Sequence, residues 1–363
     1  MEDWSEEYRD YAQGEYYNDP SPFHISTKLI EGCSVCDKGG LLRCDACYVV
    51  HYCRRIHQYA HRKQHKSVCT KIKKAQQVCD EEEAKLRAGP DGAQDWAHPL
   101  EDRWPHRLWI IHPMRQYLTA RFAVVKLQMK LNTRTAVQTA LKNILDMLNE
   151  RRQDDFYLRD LAPGLFLRLG CDQECYDFVK WWTCRFDPRK TDMDTPYVDI
   201  KDADMFEAPD IFMEDTRPHV VPLLAVMLLK IRLLINLTEL QRVKREAGPY
   251  VPQEIQDLIT IHVVSPVVAA KGESFQRENL VPPIHDLKRQ IRRLYDAVHK
   301  ANKYIWLAMV RPGNHLTAMP WYSGTGTIQE MQTKLPYIYN AWSESTGAIG
   351  VIEELQKGTR SCE

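Results

Sequence analysis

The chain has 363 residues, with 49 basic and 49 acidic side chains, 44% hydrophobic residues and 11 cysteines. The length corresponds to about two domains, and the apolar share is enough for a core, which excludes a disordered chain. Eleven cysteines are too dilute for a small disulfide scaffold, and a net charge of zero gives no first sign of a polyanionic partner.

The acidic N-terminal segment, residues 1–30, opens on MEDWSEEYRD. It has neither a basic n-region nor an apolar h-region, so no secretory leader is expected. The most apolar stretch, Val220 to Leu237, is interrupted by Lys230 and Arg232. A membrane span needs about 20 nearly uninterrupted apolar residues. A buried helix is the reading, and no transmembrane segment or membrane partner is expected. The chain is then intracellular, in cytoplasm or nucleus, and not secreted. In a reducing compartment, clustered cysteines read as metal ligands.

Seven cysteines lie between Cys33 and Cys79. The order is Cys33-x2-Cys36, Cys44-x2-Cys47, Cys53-x3-His57 and His65-x3-Cys69. A C-x2-C turn brings two thiolates onto one tetrahedral zinc at about 2.3 Å. A spacing of four puts both side chains of a pair on one helix face. Four pairs supply eight ligands, enough for two closed sites. Asp37-Lys38-Gly39-Gly40 is a turn signal, and Leu41 to Arg43 and Val49 to Tyr52 are short strand-like runs.

The run CSVCDKGGLLRCDACYVVHYCRRIHQYAHRKQHKSVC resembles a MYND-type zinc finger, placed at residues 31–73. The resemblance implies two structural zinc ions held in interleaved fashion. The first takes Cys33, Cys36, Cys53 and His57, and the second takes Cys44, Cys47, His65 and Cys69. His57 stands where the family usually has cysteine; His51 or a water is the alternative fourth ligand. The same resemblance implies a protein-interaction module, often for proline-rich peptides added along a strand edge. Arg62 occupies the position of a tryptophan that commonly helps form that groove, so peptide specificity is not carried over. His61 is read as structural, and Cys79 as a spare or packing thiol.

Charge is uneven. Residues 33–74 hold ten bases against two acids, whereas residues 1–31 hold eight acids against two bases. A basic patch raises nucleic acid as the alternative partner, through a nuclear regulator. A solvated helix face, or a partner for the acidic segment, is the ordinary reading.

Residues 74–106 read as a connector, helix-prone up to Arg87 and broken by Gly89-Pro90-Asp91-Gly92. Residues 107–363 read as an all-α domain. Helices are expected over Met114–Leu131, Thr135–Glu150, Asp155–Leu169 and Asp172–Trp182, paired as two αα-hairpins similar to tetratricopeptide-like repeats. The run LRDLAPGLFLRLGCDQECYDFVKWW, residues 158–182, resembles a segment of fungal MYND-containing proteins with a helical C-terminal region, and implies no chemistry. Residues 185–215 hold ten acids against four bases and read as a long surface loop, a candidate to fold over the basic finger. Further helices are expected over Val220–Arg245, Gln253–Val264, His285–Val310 and Leu335–Gln356.

A SET-type lysine methyltransferase is the enzymatic rival. It needs a glycine-rich loop before the finger, where only Gly14 and Gly32 stand, and an Asn-His-x-Cys-like motif, of which Asn314-His315-Leu316-Thr317 keeps two letters. Ser323-Gly324-Thr325-Gly326-Thr327 lacks a phosphate-loop lysine and reads as a turn. The expectation is therefore a mainly α protein, not an enzyme: a small two-zinc MYND-like finger joined to an all-α domain, acting as a protein-interaction adaptor. No residue is assigned to catalysis.

Overall fold

The computed structural model describes residues 25–39, 42–88, 112–150, 154, 156–184, 198–214, 219–247 and 279–360. Most of the acidic N-terminal segment, residues 89–106 of the connector, the first part of the acidic loop and the helix expected over Gln253–Val264 lie outside them. The described residues are mainly helical and divide into two compact units, one ending at Leu169 and the next starting at Gly170.

In the first unit, β1 (Leu42–Arg43) and β2 (His51–Tyr52) pair antiparallel, with Leu42 opposite Tyr52 and Arg43 opposite His51. Helix α1 (Arg55–Ala88) follows at once and runs for 34 residues. It contains no glycine or proline, and Gly89-Pro90 comes directly after it. It therefore carries the last zinc-ligand pair and also residues 74–88 of the stretch assigned to a connector. Its buried residues are His65, Cys69, Ile72, Ala75, Cys79 and Leu86, at helical spacing. That stripe lies against α2 (His112–Gln128), which packs on α3 (Arg134–Glu150), which packs on α4 (Leu158–Leu169). Cys79 is a buried packing thiol.

The α2–α3 turn fastens the finger to these helices. Ile30 donates its N–H to Asn132 O at 2.8 Å, and Arg134 donates its own to Ile30 O at 2.8 Å. Thr133 is buried; its hydroxyl donates to Val49 O at 2.6 Å and accepts the N–H of Ala136 at 3.3 Å. One side chain thus caps α3 and satisfies a finger carbonyl. Arg134 also forms an ion pair with Glu31 at 2.8 Å.

In the second unit, α5 (Asp172–Cys184) packs on α6 (Val220–Ala247), which is also covered by α7 (Val281–Ala301), α9 (Ile328–Glu344) and α10 (Ala348–Arg360). Short α8 (Ile305–Val310) sits against α9 and α10. By length and composition alone α6 is apolar enough to cross a membrane, yet 78% of its most apolar 18 residues are buried among neighbouring helices. Helices α2 and α3 pack together as the first expected hairpin, and α3 also packs on α4.

Three expectations are corrected. The helix expected over His285–Val310 breaks at buried Asn302, whose side chain accepts the N–H of Tyr304 and donates to Thr327 O. The helix expected over Leu335–Gln356 is two helices: α9 begins earlier, at Ile328, where Thr327 and Glu330 form a capping pair, and ends before Gly347, whose φ of +82° suits glycine, and α10 starts at Ala348. The acidic loop is not a plain surface loop over 198–214. Met205 and Phe212 are buried, and Asp177 accepts the N–H groups of Asp202 and Ala203 at 2.9 and 3.0 Å.

The two cations inside α6 explain themselves in the same place. Fully buried Lys230 donates to Met205 O and Glu207 O, each at 2.6 Å, and burial lowers its pKa to about 8. Arg232 pairs with Asp172 and donates to Ser345 Oγ at 2.7 and 3.0 Å.

Candidate metal centre

Two turns of the same shape start the two sites. After Cys33-x2-Cys36, Asp37 takes φ +54° and donates its N–H to Cys33 O at 2.7 Å. After Cys44-x2-Cys47, Tyr48 takes φ +61° and donates its N–H to Cys44 O at 2.9 Å. Neither residue is glycine, so each turn carries some strain, held by its surroundings. The Asp37 carboxylate accepts Lys28 Nζ at 2.6 Å and the N–H groups of Glu31 and Gly32 at 2.9 and 3.0 Å. These bonds lower its pKa to about 2. Backbone bonds tie both turns to the strands: Ser34 N–H to His51 O and Cys44 N–H to Val50 O, each at 2.9 Å.

The first group brings together Cys33, Cys36, Cys53 and His57; the second brings together Cys44, Cys47, His65 and Cys69. Within each group the ligand atoms lie within 4.8 Å of one another. Tetrahedral zinc with Zn–S near 2.3 Å sets sulfur atoms about 3.8 Å apart, and sulfur and nitrogen about 3.5 Å apart. Observed separations are 3.7 Å for Cys36 and Cys53, and 3.6 Å for Cys44 and Cys69. His57 Nδ1 stands 3.4 Å from Cys33 Sγ and 3.2 Å from Cys53 Sγ; His65 Nε2 stands 3.4 Å from Cys47 Sγ. The eight residues singled out in the sequence are thus gathered in the expected fours. His51 stands elsewhere, with Nδ1 3.4 Å from Thr135 Oγ1. His61 is 3.1 Å from the Tyr52 hydroxyl and stacks on the His65 ring.

The donor chemistry fits zinc. Burial raises the Cys33 pKa, but N–H groups of Cys53, Val35 and Cys36 outweigh it and bring the thiol to about 6. Burial pushes Cys47 up to about 11 and Cys69 higher still, while His65 falls to about 4. A divalent cation lets the raised thiols ionise at neutral pH and keeps the imidazole neutral. Three thiolates and one imidazole leave a net −1 on each site. All four ligands of the second site are buried, whereas only Cys33 is buried in the first. Four protein donors close a tetrahedral shell, so the zinc is structural and leaves no position for water or substrate.

Residues 33–69 match the family model of the MYND finger. The match covers about a tenth of the chain and runs from the first ligand, Cys33, to the last, Cys69. Searches of curated proteins and of solved structures gave no match. The MYND finger thus contains two Cys/His zinc sites, and its final helix does not stop at Cys69 but continues as the packing edge of α1.

Sequence reasoning missed three contributors to the finger's shape. Thr133 lies 64 residues past Cys69 and gives no signal before the fold is known. Asp37 lies in the turn signal read from the sequence, but its left-handed conformation and that of Tyr48 are unmarked because such positions are usually glycine.

Proposed function

We propose that the protein is an adaptor whose MYND finger binds an extended peptide of a partner protein. The observation that carries this reading is a small strand edge fixed on both sides by closed zinc sites. Among the described residues β1 pairs with a strand on one side only. Leu42, Val35 and Tyr48 are exposed on the finger, and the Arg43 guanidinium lies 4.9 Å over the Tyr48 ring. A peptide added beside β1 gains main-chain hydrogen bonds, and side-chain contacts give selectivity. Zinc makes the edge rigid, which reduces the entropy cost of binding. Arg62 in place of tryptophan argues for a different side-chain preference from the usual proline-rich ligand.

The reading is non-enzymatic. Asn314 to Leu316 lie in a short 3-10 turn, and Ser323 to Thr327 lead into the capped start of α9.

The test is fluorescence anisotropy of a panel of extended peptides, proline-rich and proline-free, against the zinc-loaded full chain. Binding that Leu42→Asp abolishes, with two zinc ions retained, is expected. Methyl transfer from S-adenosylmethionine to a protein lysine, or peptide binding indifferent to Leu42→Asp, refutes the reading.

A further inference from the structure

The cations of α1 form a surface of their own. From Arg54 to Lys74 the chain holds eight basic residues and no acid. Arg55, Arg62, Lys66 and Lys73 are exposed and follow one another by seven, four and seven residues, a single line along the helix. At about 1.5 Å per residue the line is about 27 Å long. Lys63 and Lys74 flank it and are also exposed.

These side chains have no counter-ion among the described residues. Four carboxylates of the finger and α1 pair with other cations: Asp37 with Lys28, Glu31 with Arg134, Glu82 with Lys85, and Glu83 with Arg87. An aromatic ring stands in the middle of the cations. Tyr59 is 66% exposed, four residues after Arg55, three before Arg62 and four before Lys63; beside it Ile56 is 69% exposed.

We propose that this face of α1 binds single-stranded nucleic acid. Phosphates meet the line of Arg and Lys, and an unpaired base stacks on Tyr59. A polyanion that carries bases uses both the cations and the ring, whereas an acidic peptide uses only the charge. The face differs from the β1 edge, so the two readings stand or fall separately.

The experiment is fluorescence anisotropy of a labelled 20-residue oligouridylate with the zinc-loaded full chain, across 50 to 200 mM salt (about the range over which counterion release is read). Four phosphate contacts give a slope of log K against log salt of about −3. The double variant Arg62→Glu/Lys73→Glu weakens binding at least about tenfold at low salt. Tyr59→Ala weakens it about fivefold or more, the usual loss of one stacked base. Both variants keep two zinc ions by native mass spectrometry and an unchanged circular dichroism spectrum. Affinity unchanged in either variant overturns the proposal. So does a duplex of equal length that binds more tightly than the single strand, or a polyglutamate of equal charge that displaces the RNA equally well.

Discussion

Replacing Thr133 by valine tests whether the finger and the first-unit helices hold each other up. Valine keeps the side-chain volume and removes the hydroxyl. The hydroxyl caps α3 through the N–H of Ala136 and donates to Val49 O at 2.6 Å inside the buried junction. Loss of an N-cap costs about 1 kcal/mol. A buried carbonyl left without its donor costs about 1–3 kcal/mol more. The sum is about 2–4 kcal/mol, a large share of the stability of an ordinary domain. In urea denaturation of the zinc-loaded chain followed by far-UV circular dichroism, the midpoint falls by about 1 M or more at unchanged slope. Because Val49 lies between Cys47 and β2, the finger also opens more readily. Zinc loss to a chromophoric chelator therefore speeds up at least about tenfold, one decade for each 1.4 kcal/mol. Thr133→Ser keeps both hydrogen bonds and behaves nearly as the parent. Stability within about 0.5 kcal/mol of the parent for Thr133→Val, a typical surface effect, together with unchanged zinc loss, refutes the coupling.

Native mass spectrometry of the full chain gives two zinc ions, and His57→Ala under chelator competition gives one; a single zinc in the parent, unchanged by that substitution, contradicts the ligand set. Gly32→Ala places a Cβ 2.3 Å from Lys38 O, so the first turn opens and the same measurement again falls to one zinc while the second site persists. Lys230 has a folded pKa of about 8, below its unfolded value of 10.5, so between these pH values the unfolded chain binds more protons. Stability then rises with pH across that window relative to Lys230→Met, which has no proton to lose; a flat difference from pH 8 to 10 contradicts the buried charge. Asp177→Leu removes the acceptor of Asp202 and Ala203 N–H, costs about 2–4 kcal/mol, and shows as faster hydrogen exchange at those two amides.

The zinc-ligand pairs were readable because their information is local, and their grouping into two fours came from the resemblance to the MYND finger. Pairs spaced by three and four residues fix which side chains share a turn or a helix face, whatever the rest of the chain does. The mainly helical body was readable from apolar periodicity. What escaped depends on distant partners. Lys230 and Arg232 looked like interruptions of an apolar helix, yet their acceptors are carbonyls at Met205 and Glu207 and the side chains of Asp172 and Ser345. The break at Asn302 rests on Thr327 and Glu330, about 25 residues later in the chain. The ordered part of the acidic loop rests on Asp177, whose bonds to Asp202 and Ala203 no charge count reveals.

Helix α1 runs without a break through residue 73, and its composition shows why a boundary there looked natural. Hydrophobic periodicity does not score His65 and Cys69 as core residues, so the inward stripe seems to begin only at Ile72. Once the ligands are counted as core, one stripe runs from His65 through Ile72, Ala75 and Cys79 to Leu86. Its first part is held by metal and its second by apolar contact with α2. A short helix isolated with the finger buries too little surface to be stable alone. Extension onto α2 supplies the missing burial, and Thr133 supplies a second attachment. The same length that secures the inward stripe gives the outward cations their line of about 27 Å. The uninterrupted helix is therefore what joins the metal-built finger to its helical support while leaving Arg55, Arg62, Lys66 and Lys73 facing water.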